Sequence, residues 1–421
     1  MNKITWIHII IMKIGITISF HEDYSIWSNG IQLNALMLAE TFSKIEGVDV
    51  CFLNIAKCSE EKIPWDIKEF PTFYLYDKYL EVDLLVFLGG RIQKQYVNAF
   101  NQLENKKTIF YKCGNEFIVN LEKNLFGEDL EENGQLESIY GCDEIWYVPQ
   151  QHETNKNYFE CLYRTEARPV PFVYSPRWLN EDIQKKEEIY KKSMHYSNTK
   201  EPKRISIMEP NMNIVKYAMY PLMIAETYYR SHPEKIKEVN VVGGDKISKK
   251  QNFLSVVNTF DLKRDKKLFV EGRQVTSSFL GNYSDILICH QMMNPLNYIY
   301  LDAAWMGYPV IHNAEYVKDL GYYYSGNEVK AGARKLKDVI ENFDNDEKYN
   351  KRQEKVFKRF DNVSTEIVSQ YDTLIKNLFD KKDLMRDSCF DFMKNKYVWP
   401  KWSTIEKTSQ RYTKNLTYHW S

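Results

Sequence analysis

Phe269-Val270-Glu271-Gly272-Arg273, Tyr283-Ser284-Asp285-Ile286-Leu287-Ile288-Cys289-His290, Asn294, and Leu301-Asp302-Ala303-Ala304-Trp305-Met306-Gly307-Tyr308-Pro309-Val310 together decide the fold. Lys267 to Val270, Ile286 to Ile288 and Pro309 to Ile311 are short apolar runs bounded by turn residues, as buried parallel strands are. Between the last two runs stands Asp302, the position at which a helix would open. A carboxylate there, facing a cleft, can accept hydrogen bonds from two ribose hydroxyls, a task acidic residues perform in dinucleotide folds. The competing reading is an ordinary acidic residue in the first turn of a core helix. The preceding loop, Pro295-Leu296-Asn297, would aim backbone N–H groups at phosphates, as helix N-termini do.

The same alternation extends in both directions. Arg204 to Met208 predicts a strand, Val215 to Tyr229 a helix, and Val239 to Val242 a strand ending in Gly243-Gly244. Before a charged stretch from Ser175 to Lys203, an independent series begins at Lys13 to Ser19. It continues through a loop containing Gly30, a helix carrying Leu33, Leu36 and Met37, and a strand from Val48 to Leu53. Asp83 to Leu88, Thr108 to Tyr111 and Glu144 to Val148 are further buried strands. Strand, helix, strand in this order gives right-handed crossovers over a parallel sheet. Two such halves of similar size imply a cleft at the carboxyl ends of their strands. After about Lys348 the chain turns helical and charged.

Composition narrows the function classes. At 421 residues the chain suits two domains rather than one core. Lys+Arg and Asp+Glu both number 57, so no global charge draws it to nucleic acid. Seven cysteines, an odd number without a C-x-x-C pair, argue against a disulfide framework or zinc site and fit a reducing cytoplasm. The apolar opening from Ile4 to Met12 is too short for a bilayer and lacks a small-residue cleavage site. It reads as an upstream start codon or an extension of the first strand, and no membrane anchor is expected.

The stretch from Phe269 to Val310 resembles the nucleotide-sugar half of GT-B glycosyltransferases, in particular the retaining group with a Glu-x7-Glu motif. Asp302, Gly307, Pro309 and Val310 match its E-A-x-x-x-G-x-P-V helix, and eight positions back Asn294 stands where the first Glu would be. The resemblance implies an α/β fold of two Rossmann-like domains facing each other across a cleft. In that group the first strand of this domain ends in Gly-Arg, with a Lys five residues on, and both cations hold the donor diphosphate. Here the strand ends Met208-Glu209-Pro210-Asn211, and Lys216 lies five residues beyond Asn211. Lys216 is thus a phosphate ligand by resemblance, and Arg273 the expected source of the missing charge; the competing reading of Lys216 is a solvated lysine on a helix.

From Lys13 to about Phe379 the chain resembles more closely a bacterial and phage family catalogued as domain of unknown function 2827. The carrying residues include Asn29-Gly30-Ile31 with Asn34-Ala35-Leu36, Val148-Pro149-Gln150, Pro171-Phe172-Val173, Glu209-Pro210-Asn211 and His290-Gln291. Pro295-Leu296-Asn297-Tyr298, Gly307-Tyr308-Pro309, His312-Asn313, Gly321 to Tyr324 and Ala331 to Arg334 continue the match.

These resemblances imply an acceptor-side domain over residues 1–175, a linker over 176–203, a nucleotide-sugar domain over 204–360, and C-terminal helices with a tail over 361–421. Asp302, Asn294, Asn297, Asn211, Glu209, Tyr298, His290 and Gly30 are the expected donor-side contacts, and Lys216 and Arg273 the expected catalytic cations. Gly30 would let backbone approach a ligand at the first strand-to-helix turn, or is a plain loop glycine. Glu116, Asp23, His21 and His152 are candidate general bases if the reaction inverts. A retaining reaction, in which the departing phosphate takes the acceptor proton, needs none. The substrate implied is a nucleotide sugar, a UDP-sugar foremost, with no metal required. Asp344-Asn345-Asp346 formally matches a D-x-D metal motif but sits among solvated residues after a helix rather than at a strand end.

From Lys381 to Ser421, nine Lys and Arg face four Asp and Glu, a net +5, with Trp399, Trp402, Tyr412 and Trp420 interleaved. Basic and aromatic residues together can grip nucleotides, and a C-terminal helix packing back across the first domain is the plainer reading. The acceptor is open between a hydroxymethylated pyrimidine in phage DNA and a surface or capsular glycan. A non-catalytic sugar-nucleotide or glycan-binding protein is the alternative class, since Asn294 and Asn211 replace charged residues of the broader motif.

Overall fold

The computed structural model describes residues 11–22, 25–28, 30–90, 92–126, 142–197, 202–343 and 347–380. By contact density the chain divides into a large unit, Met1–Ile375, and a small one, Lys376–Ser421. The large unit contains two fully parallel sheets. The first is built from β1 (Met12–Ile18), β2 (Val48–Asn54), β3 (Thr72–Tyr74), β4 (Leu84–Phe87), β5 (Lys107–Lys112), β6 (Glu144–Tyr147) and β7 (Ala167–Pro169). Its spatial order is β3-β2-β1-β4-β5-β6-β7. The second is built from β8 (Lys203–Ile207), β9 (Ile236–Val242), β10 (Leu268–Glu271), β11 (Ile286–Ile288), β12 (Val310–His312) and β13 (Tyr322–Tyr323), in the order β10-β9-β8-β11-β12-β13.

Both orders run outward from the first strand in two directions. Each sheet therefore has a switch point, between β1 and β4 and between β8 and β11, where the flanking loops diverge and open a crevice. The strands are buried on both faces, which is why they read as continuous apolar runs. Ile14, Ile16, Leu84, Leu85 and Val86 in the first sheet are fully buried, as are Ile205, Ile207, Leu287 and Ile288 in the second. Each such side chain contributes roughly 1.5–3 kcal/mol by leaving water. Thr17 and Asn54 are two of the buried polar residues near strand ends. Thr17 Oγ1 accepts the Leu88 N–H, and Asn54 Oδ1 accepts the Phe20 N–H, so both tie loops to the crevice edge.

The helix Arg177–Tyr190 carries the chain from the first sheet towards the second. A return crossing follows the helix Glu347–Phe360. Tyr174 N–H donates to Phe360 O at 2.8 Å, and Asn362 Nδ2 donates to Met37 O and to Glu40 Oε2. The helix Thr365–Asp380 then brings Tyr371 onto the first domain, where its hydroxyl donates to Pro171 O and pairs with the Tyr111 hydroxyl at 2.9 Å. The basic aromatic tail, Lys381 to Ser421, lies outside the described residues, as do Asp344-Asn345-Asp346, Asp23 and Asn29.

Candidate functional site

The crevice of the second sheet collects the residues expected to carry chemistry. Glu209 follows β8 and His290 follows β11, and the His290 N–H donates to Glu209 Oε1 at 3.3 Å across the switch point. Glu209 is fully buried, and its Oε2 has no hydrogen-bond partner. Burial pushes its carboxyl up to about 7, opposed by Lys216 and by the His290 N–H. The His290 ring stacks on Tyr220 at 4.2 Å between centroids, and its Nδ1 pairs with the Tyr324 hydroxyl at 2.8 Å. Burial holds that imidazole down to about 4, so it is neutral at pH 7.

Lys216 does not lie on a helix. Asn211 adopts a left-handed conformation, φ +53°, which Asn tolerates better than most residues. Its side chain donates to Glu209 O and Gly243 O and accepts the Ala218 N–H, while its own N–H donates to Lys216 O. These bonds fold 211–218 into a loop, and the helix begins only at Met219. Lys216 is thereby returned beside Asn211, two residues past Glu209. The chain end of β10 is tied to the same place. Gly243 donates to Gly272 O, and Gly244 donates to Glu271 O. A Cβ on Gly243, whose φ is +78°, would meet Glu209 O at 3.0 Å. Arg273 follows directly. Burial pushes the Lys216 ammonium down from its ordinary value; Glu209 opposes that fall and Arg273 adds to it. Burial lowers Arg273 as well. Two cations and one carboxylate thus share the ends of β8, β9 and β10.

The loop after β11 forms the other wall. Met293 is left-handed at φ +56°, a strained conformation for a non-glycine residue, and its carbonyl is held by Asn115 Nδ2 at 2.5 Å from the first domain. Asn294 is buried, with Oδ1 accepting from Gln151 Nε2 and Nδ2 donating to Gln291 Oε1. Asn297 is the residue before the helix Tyr298–Trp305 and makes no side-chain cap. Tyr298 Oη accepts from Asn34 Nδ2 at 2.6 Å and donates to Val173 O, so this ring pins the two domains together.

Asp302 corrects the expected helix start: it is the fifth residue of that helix, one turn inside. It is buried, with Tyr174 donating to Oδ1 at 3.1 Å, and burial pushes its carboxyl up to about 7 against that hydrogen bond.

On the first domain, Gly30 opens the helix Gly30–Phe42, and a Cβ there would meet Tyr298 Cδ2 at 3.7 Å. Glu116 begins the helix Glu116–Phe126 after β5. Lys112 Nζ donates to its Oε2 at 2.7 Å and Tyr163 to its Oε1 at 2.5 Å, so both carboxylate oxygens are occupied. His152 is exposed at the start of the helix His152–Tyr163, with Nδ1 paired to the Tyr147 hydroxyl at 2.7 Å. His21 is exposed in the loop after β1. Glu116 and His152 therefore sit at the carboxyl ends of neighbouring strands β5 and β6, on this domain's cleft edge.

Sequence reading gives Asn115 no role and passes over Gln151 and Tyr174. Each is buried and bonds to a residue more than a hundred positions away. Asn155 organises two of them, donating to Asn115 Oδ1 and to Gln151 Oε1. Among the described residues, no group of three or more His, Cys, Asp or Glu side chains is placed to hold a metal ion. Among the same residues, no helix is long and apolar enough to cross a membrane.

Two Rossmann-like sheets with their switch points in one compact unit are the GT-B architecture, and comparison with solved structures agrees. Sucrose-phosphate synthase from Thermosynechococcus elongatus aligns over 87% of this chain and 99% of its own, with a TM-score of 0.55 at 12% identity. A glycosyltransferase from Rickettsia africae ESF-5 aligns over 88% of this chain and 100% of its own, with a TM-score of 0.52 at 14% identity. An O-GlcNAc transferase mutant from Thermobaculum terrenum aligns over 88% and 68%, with a TM-score of 0.53 at 8% identity. The chain belongs to the family described as protein of unknown function (DUF2827), which matches residues 14–375. No curated protein matches it in sequence.

Proposed function

We propose that this chain is a glycosyltransferase that moves a sugar from a nucleoside-diphosphate sugar, a UDP-sugar foremost, to an acceptor hydroxyl. The carrying observation is the convergence of Lys216 and Arg273 on the strand ends of the second sheet, where open parallel sheets bind phosphorylated ligands. The two cations hold the diphosphate, joined by backbone N–H groups at the start of the helix Tyr298–Trp305. Asp302 accepts from the ribose hydroxyls. Asn294, Asn297, Tyr298 and His290 complete the donor side, Asn211 shapes its loop, and Gly30 lets the first domain approach. The fold shared with a sucrose-phosphate synthase and an O-GlcNAc transferase supports this reading.

The reaction breaks the bond from the anomeric carbon to the diphosphate oxygen and forms one to the acceptor oxygen. The acceptor proton passes to the departing phosphate, and the sugar keeps its anomeric configuration. Negative charge grows on the leaving diphosphate, and preorganised cations there are worth on the order of 3 kcal/mol each. Glu116 favours this route over an inverting one, because Lys112 and Tyr163 occupy both of its oxygens. His152 is the base to test should the product prove inverted.

Incubation with a panel of nucleotide sugars and no acceptor tests the reading: slow release of one sugar with its nucleoside diphosphate is expected. Nucleotide binding without any release would instead mark a non-catalytic binding protein. Adding DNA that contains hydroxymethylcytosine to one arm and oligosaccharides to another then names the acceptor by the mass that is gained.

A further inference from the structure

Glu209 is the least explained side chain of the crevice. A fully buried carboxylate with one oxygen unpartnered is costly, because its charge leaves water without full compensation. Its Oε1 is occupied by the His290 N–H, which fixes the carboxylate across β8 and β11. Asn211 and Gly243 close over its main chain, and the loop they shape returns the Lys216 backbone to Asn211, two residues beyond Glu209.

We infer that Glu209 is a positioning residue that acts through Lys216: its carboxylate draws the lysine ammonium to the strand ends and keeps it charged beside Arg273. This rests on the assignment of Lys216 to the diphosphate, and it moves Glu209 from donor contact to partner of the contact.

The charges facing the pair support the inference. Lys216 feels Glu209, Arg273 and, across the cleft, the Cys113 thiol, which burial raises to about 12 and so keeps neutral at pH 7. Glu209 feels Lys216 and the His290 N–H, with the thiol of Cys289 and the hydroxyls of Tyr300 and Tyr324 nearby. Burial raises all three of those groups, and they stay uncharged at pH 7. Glu209, whose carboxyl is raised to about 7, is therefore the group that offsets, as the pH rises through that value, both the burial of Lys216 and the repulsion from Arg273. Without it the lysine would hold its proton less tightly. The diphosphate would then meet a second cation that is lost at lower pH than in wild type.

The test reads Lys216 directly and needs no substrate. The intact protein is labelled with acetic anhydride across pH 6 to 11, and modification of the Lys216 peptide is followed by mass spectrometry. Glu209→Gln keeps an acceptor for the His290 N–H but removes the charge. It should move the Lys216 midpoint down by about one pH unit or more, the usual effect of losing a close opposite charge. Arg273→Gln should move it up, and Glu209→Asp should fall between wild type and Glu209→Gln. An unmoved midpoint in Glu209→Gln, or a shift of the same sign in both Gln variants, would overturn the inference. Should Glu209→Gln fail to fold, Glu209→Asp and Arg273→Gln carry the same contrast. In donor hydrolysis, the alkaline limb of kcat/KM should move with the labelling midpoint. If the midpoints shift as expected while nucleotide binding is absent throughout, the pair stands and the transferase reading falls.

Discussion

Asp302→Asn should make the protein more stable above neutral pH and worse at binding its donor. Wild-type Asp302 has a carboxyl raised by burial from 3.8 to about 7 in the folded chain. A raised folded value means the native state binds the proton more tightly than the unfolded state does. Stability is therefore full below about pH 4 and is lost as the pH climbs through 7. At about 1.4 kcal/mol for each tenfold change in proton affinity, that rise is worth about 4 kcal/mol, an upper figure because the site can relax. Asparagine keeps an acceptor for the Tyr174 hydroxyl but leaves a buried N–H group to satisfy, which costs about 1–3 kcal/mol. The variant should thus be about 1–3 kcal/mol more stable at pH 8 and less stable than wild type at pH 4. Glu209 titrates in the same window but is common to both proteins and cancels in the difference. Thermal melts of both proteins, ligand-free at fixed ionic strength from pH 4 to 8, give the comparison. A difference in midpoint that stays flat across that range would refute the buried ionised carboxylate. Gain of stability with loss of binding is the usual exchange at a functional site.

Lys216→Ala and Arg273→Ala should each lower turnover roughly a hundredfold or more, with circular dichroism unchanged; near-native rates in both would move the phosphate site elsewhere. Activity should survive EDTA, because protein cations and a helix N-terminus serve the phosphates; loss on chelation with recovery in manganese or magnesium would contradict this. Tyr298→Phe removes the hydrogen bonds to Asn34 and Val173 O that join the domains. It should cost about 1–3 kcal/mol in denaturant unfolding, since both partners are left unpaired. If DNA is the acceptor, transfer to it should fall steeply with added salt, and deleting Lys381 to Ser421 should raise the DNA concentration for half-maximal rate more than it alters donor affinity.

The sheets were legible because parallel strands buried on both faces must be apolar throughout. Ile14 to Ile18 and Ile205 to Ile207 announce themselves by composition alone. β3, β7 and β13 were not legible: they are two or three residues long, at or near sheet edges, and β7 contains Arg168 and Pro169. The misplaced start of the helix Met219–Tyr229 had a local signal, since Pro221 marks a first turn. What overrode the apparent periodicity from Val215 was the Asn211 side chain capturing the Ala218 N–H. Asp302 sits one turn inside its helix because that helix begins at Tyr298, directly after the extended Asn297, with no side-chain cap to mark the start. The amides that join the domains, Asn115 to Met293 O and Gln151 to Asn294, depend on contacts 178 and 143 residues apart, and no pattern in one sequence encodes them.

Calorimetric titration of the nucleoside diphosphates into wild type, Lys216→Ala and Asp302→Ala is the most direct test of a nucleotide-sugar site in the second domain. The account predicts that one nucleoside diphosphate binds the wild type, that affinity falls at least about tenfold in each folded variant, and that UDP is the ligand. Binding to none of them, or binding that both variants leave unchanged, would contradict it.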